Sequence, residues 1–160
     1  MHLADGVLLT LALAVGLSIG RRSSRATRMV LLGSALMISA AFFLPSSLLR
    51  AVLGPGALAS LESVAGVFSW ELADVVHFIA FLWLALMLWT LRPDLRGWRA
   101  VAGLLVLASA AELVQGLTVE RSPRLDDVAV NLLGAGCGLL LAVVYLALGQ
   151  AIRSRRIRGP

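Results

Sequence analysis

The chain has 160 residues, 59% of them hydrophobic and only 14% charged, with a mean hydropathy of +0.92. A soluble domain carries about 25% charged residues, so a water-soluble fold is excluded, and the length leaves no room for a separate soluble catalytic domain beside a set of membrane helices. The net charge is +5 and all fourteen basic residues are arginine; they flank apolar runs in short clusters, which reads as membrane anchoring and not as a nucleic-acid surface.

Five apolar runs occur, at about 4–20, 28–45, 74–91, 99–118 and 128–148. Each is long enough, or nearly so, to cross a hydrocarbon core of about 30 Å at about 1.5 Å per residue. The first run is the shortest. Its basic cluster follows it, and no typical cleavage site comes before that cluster, so it reads as a retained helix and not as a signal peptide. A four-span reading without it leaves the orientation of the other spans unchanged.

The arginines orient the set. Arg21, Arg22, Arg25 and Arg28 lie between runs one and two, Arg92, Arg96 and Arg99 between runs three and four, and Arg153, Arg155, Arg156 and Arg158 in the tail. With five spans these eleven share one side, and only Arg50, Arg121 and Arg124 fall on the other. Cytoplasmic loops carry the excess of positive charge. The expected fold is therefore an all-α, polytopic transmembrane helix bundle, one membrane domain over residues 1–160, with the N-terminus outside and the C-terminus cytoplasmic.

Residues 46–73 form the longest stretch outside the runs and read as an external connector. Pro45 and Gly54-Pro55-Gly56 punctuate it. Leu48, Leu49, Val52 and Leu53 suit one short interfacial helix, and Leu58, Leu61, Val64, Val67 and Phe68 another, with Trp70 at the interface. A lid over an outward-facing site is the second reading of this segment.

Polar residues inside the runs carry the functional information. Asp74 and His77 are i,i+3 neighbours at the start of run three; Glu112 and Gln115 have the same spacing near the end of run four; Asp127 and Asn131 are i,i+4 at the start of run five, just after Arg121. Such spacings put each pair on one helix face. Under the arginine-derived topology all of them fall in the outer half of the membrane. An ionisable group at membrane depth is costly unless paired or hydrated, and marks a functional site by default. The competing reading is a structural network: Glu112 pairs with Arg121 or His77, and Gln115 with Asn131, only to join helices. Gly134 and Gly138 give run five a GxxxG spacing, which allows close approach of another helix. Cys137 is a lone thiol in an apolar run and reads as inert. The sequence has no HExxH, no GxSxG and no Walker A glycine loop. No metal or other cofactor is expected.

On these residues the chain resembles the VanZ-like family of small bacterial membrane proteins, from about Asp74 to Leu141. The family's first motif resembles Asp74-Val75-Val76-His77-Phe78 with Phe81, although Val75 stands where the family has a lysine. Glu112 and Gln115 match a second motif, and Arg121, Asp127, Asn131, Gly134 and Gly138 a third. The resemblance implies a multi-pass protein of the bacterial cytoplasmic (inner) membrane with an envelope-associated role, in glycopeptide tolerance or cell-surface polymer metabolism. It does not establish an enzyme.

Three functions stay open: an outward-facing polar cavity that binds or processes a lipid-linked or cell-wall-related molecule, an accessory subunit that holds a membrane-protein partner, and a small transporter. In an enzyme, His77, Glu112 and Asp127 are the catalytic candidates, with His77 and Glu112 as acid and base. Asp74, Gln115, Arg121 and Asn131 are the substrate-binding candidates, Arg121 as a clamp for phosphate or carboxylate. The expected partners are membrane lipids, such a ligand, and a membrane protein; nucleic acid is not expected.

Overall fold

The computed structural model describes residues 24–43, 46–115 and 124–157. Among them every regular element is helical: α1 Arg25–Phe43, α2 Ser46–Phe68, α3 Leu72–Leu91, a 3-10 turn Pro93–Leu95, α4 Trp98–Gln115 and α5 Leu125–Ile157. Large apolar side chains stand exposed on α1 (Met29, Met37), α4 (Val101, Val106, Leu113) and α5 (Leu133, Leu140, Leu148). In water such a surface would drive aggregation; in lipid it is the solvated face. Among the described residues three stretches, Ala51–Phe68, Leu72–Leu91 and Leu125–Arg156, are long and apolar enough to cross a membrane. The expected first run lies outside the described residues.

The core is the packing of α3 on α5, with α4 against both. A Cβ built on Gly134 would collide with the carbonyl oxygen of Phe78, and one on Gly138 with that of Leu82. The glycines therefore let the α5 backbone rest directly on the α3 backbone. Equal steps of four on both helices also fix their relation: α3 and α5 run parallel. Three buried stripes meet at this seam. On α4 they are Ala100, Leu104, Ala108 and Glu112; on α5 Asn131, Ala135 and Ala142 beside the two glycines; on α3 Val75, His77, Phe81, Ala85 and Leu88. Small residues dominate because nothing but close packing and hydrogen bonding holds helices together in lipid.

Two connections set the ends of α3. Before α3, Ser69 adopts a left-handed backbone (φ 55°). Its N–H reaches the Gly66 carbonyl at 3.4 Å and the Trp70 N–H reaches the Ala65 carbonyl at 2.9 Å. That is a Schellman closure of α2. Trp70 then stacks on Phe68 and tilts against Phe78, with ring centroids 5.0 and 5.6 Å apart. After α3, Arg92 is buried and grips Asp94 with two parallel bonds, Nε to Oδ1 at 2.9 Å and Nη2 to Oδ2 at 2.7 Å. This contact holds the Arg92 guanidinium still more firmly protonated than usual. Arg96 donates to the Trp89 carbonyl at 2.8 Å, and Gly97 takes the left-handed turn (φ 83°) into α4.

The connector 46–73 is helical on both sides of a break. Gly54 (φ 73°, ψ 165°) leaves the helical conformation directly before Pro55, within α2. The stretches expected to form two short helices around Gly54-Pro55-Gly56 lie in the two arms of α2. By length and composition alone, Ala51–Phe68 is one of the three stretches apolar enough to cross a membrane, although the break at Gly54 interrupts it.

Candidate functional site

The buried stripes of α3, α4 and α5 each carry one polar side chain at the same end of the bundle. His77 lies five residues inside the N-terminus of α3, Glu112 three residues before the end of α4, and Asn131 six residues inside the N-terminus of α5. At about 1.5 Å per residue these are depths of roughly 4–9 Å from the helix ends. Their relative exposures are 4%, 3% and 0%. His77 Nδ1 stands 3.7 Å from Glu112 Oε1. That is an ion pair if the imidazole is protonated, and otherwise a close contact longer than a hydrogen bond. Asn131 is set by the glycine seam. It precedes Gly134 by three residues on the same face, and the α3–α5 register brings it level with the first turns of α3, where His77 lies. Neither Nδ2 nor Oδ1 of Asn131 has a hydrogen-bond partner among the described residues.

Asp74 is placed differently from its neighbour. It is the third residue of α3, and its Oδ2 accepts the Glu71 N–H at 2.8 Å, one half of a capping box. A carboxylate there satisfies an orphan donor and complements the positive end of the helix dipole. The geometry thus gives this substrate-binding candidate a local structural task. Asp127 is half-buried in the first turn of α5, four residues before Asn131. Exposed Arg124 sits 3.9 Å from both Glu71 and Asp126, tying the start of α5 to the start of α3. Arg121 and the side chain of Gln115 lie outside the described residues.

Some contacts have little or no signature in the sequence. Trp83 Nε1 donates to the buried Ser34 hydroxyl at 2.9 Å and fastens α1 to α3; its one signal is a serine inside an apolar run. The carbonyl ridge of Phe78 and Leu82 that receives the glycines has no signature at all, because any residue offers a carbonyl. Arg92 reads as an ordinary interfacial arginine; its burial follows from Asp94 two residues on.

Helices with lipid-compatible faces, a small-residue seam and polar groups buried within it define a helical membrane protein. The family model described as VanZ/LLP1 matches residues 6–147, most of the chain, and the protein belongs to that family. No curated protein and no solved structure matches it significantly.

Proposed function

We propose that this VanZ-like protein sits in the bacterial cytoplasmic membrane and binds or processes a cell-envelope or lipid-linked molecule in an outward-facing polar site centred on His77 and Glu112. One observation carries the reading: three helices each bury one polar side chain at one end of the bundle, and two of these side chains meet. Burying an imidazole and a carboxylate in an apolar bundle is costly, and an apolar pair would often hold the helices as well or better. Their presence there is better accounted for by a task than by adhesion. By sequence position Gln115, Arg121 and Asp127 are the further candidate contributors, and a linked role in glycopeptide tolerance is the corresponding phenotype.

The arginine distribution supports the outward orientation. Arg92, Arg96 and Arg99 gather at the opposite end of α3 and α4, and Arg153, Arg155 and Arg156 at the C-terminal end of α5. Positive charge marks the cytoplasmic side.

A scaffold reading has an observation of its own: the His77–Glu112 contact joins α3 to α4 directly. The two are separated by Glu112→Gln and His77→Gln proteins whose amount and melting are first matched to wild type. Rescue of a deletion strain's envelope or glycopeptide phenotype is then measured. Loss of rescue with retained folding is the expected result. Full rescue by both variants would leave only the scaffold.

A further inference from the structure

We propose that the site receives a neutral group that both donates and accepts hydrogen bonds, an amide or a hydroxyl, and that Asn131 is the residue that reads it. The proposal rests on the site proposed above and narrows it to a ligand class. Asn131 has no solvent exposure, lies at the seam, and has an unsatisfied donor atom, Nδ2, and an unsatisfied acceptor atom, Oδ1, among the described residues. Buried polar atoms without partners are rare, because each costs the full desolvation of the group. An amide or hydroxyl matches both valences of the carboxamide at once. A carboxylate or phosphate offers acceptors only, and an ammonium donors only.

The electrostatics of this end point the same way. Among the described residues at the Asn131 end of α3, α4 and α5, Glu71, Asp74, Glu112, Asp126 and Asp127 face only Arg124 as a permanent cation. In 116–123, Glu120 and Arg121 cancel each other formally. Arg124 is itself shared between Glu71 and Asp126. An anionic head group entering here meets like charge, and repulsion is strengthened where water is scarce. A cation would be drawn to this end but would have to shed its hydration beside the seam, a larger cost than burying a neutral dipole.

The test uses three amphiphiles with one chain and different heads: N-dodecylacetamide, dodecanoate and dodecylammonium. Each is added at low mole fraction to the full-length protein in a neutral detergent, and melting is followed for wild type and Asn131→Leu. Without probe, Asn131→Leu is expected to melt no lower than wild type, since it removes two unsatisfied polar atoms at nearly constant volume. N-dodecylacetamide is expected to raise the melting of wild type and to leave Asn131→Leu unmoved. A shift by dodecanoate or dodecylammonium that depends on Asn131 and exceeds that of the amide overturns the ligand class while leaving a binding site in place. No Asn131-dependent shift with any probe overturns the proposal and counts against the site itself. If Asn131→Leu does not fold, the side-chain amide resonance of Asn131 in wild type is titrated with the same probes. A resonance that moves with the amide alone supports the proposal, and one that moves with none of them overturns it.

Discussion

Ser69 shows how a single residue can carry a measurable share of the architecture. It holds the left-handed position that closes α2, where an L-residue with a side chain is disfavoured by roughly 1 kcal/mol or more, and glycine meets no steric penalty. Ser69→Gly is therefore expected to raise stability by up to about 1 kcal/mol, reduced by the greater freedom of glycine in the unfolded chain. Thermal unfolding in detergent checks it, and a clear loss of stability would show that the Ser69 side chain has a partner of its own. Asp74 shows the limit of spacing as a guide. Its spacing groups it with His77 on one helix face. What spacing does not convey is that the third residue of a helix is also where a carboxylate caps it. His77 and Glu112 are legible because ionisable groups in apolar runs stand out, yet their contact is one of several pairings the sequence allows.

At the scale of the helix, α5 and α2 differ in what their sequences reveal. The glycines of α5 are visible as a pattern, but the partner is not, because α3 contributes only backbone carbonyls. Gly138→Ala places its Cβ on the Leu82 carbonyl, and either helix must yield. A loss of about 1–3 kcal/mol is expected, as for overpacking in a close-fitted core. Ser34→Ala removes the hydroxyl that accepts from Trp83, and hydrogen bonds between membrane helices average about 0.6 kcal/mol. The expected order in melting is wild type, then Ser34→Ala slightly lower, then Gly138→Ala lowest. A reversal of the two variants would mean that polar fastening, not backbone contact, dominates the packing. The length of α5 also exceeds expectation. It continues to Ile157, while the register sets the end of α3 level with Ala147. The remaining ten residues project about 15 Å beyond α3 and carry Arg153, Arg155 and Arg156 at the helix C-terminus, where cations are favoured. Hydropathy alone ends the run near 148 because a helix that leaves the hydrocarbon keeps its hydrogen bonds but loses its apolar signature. In α2 the opposite holds: residues 51–68 have a span's apolarity, but the break at Gly54 leaves 14 residues after it. That is about 21 Å of helix, short of a hydrocarbon core of about 30 Å.

Among the described residues the packing of α3, α4 and α5 is polarised along its axis. Carboxylates gather where α3 and α5 begin, and guanidinium groups where they end. This polarity, visible in the sequence as arginine clusters, is the basis of the proposed topology. Reporter fusions after Arg28, Arg50, Trp70, Arg99, Arg121 and at the C-terminus are expected to read inside, outside, outside, inside, outside and inside. Agreement between Arg50 and Trp70 matters most, because it excludes a crossing by α2. A cytoplasmic report at Arg50 or Arg121 would reject the arrangement. The helical class and the polar end of the bundle are thus readable from composition, periodicity and charge. The parallel seating of α3 on α5 and the convergence of His77 with Glu112 require three dimensions, since they depend on register between segments more than thirty residues apart in sequence.

On the proposed function, the buried polar end serves a ligand and not cohesion. The combined variant His77→Leu with Glu112→Met tests it most directly, because both partners become apolar together and neither charge is left stranded. Removing one member of a buried pair destabilises strongly, whereas exchanging both for residues of similar volume is often neutral or stabilising. The protein is purified, its melting compared with wild type, and the same variant is asked to rescue the deletion strain. The expected result is unchanged or higher melting together with lost rescue. Normal rescue, or a collapse of folding that compensating apolar replacements at neighbouring positions do not restore, would contradict it.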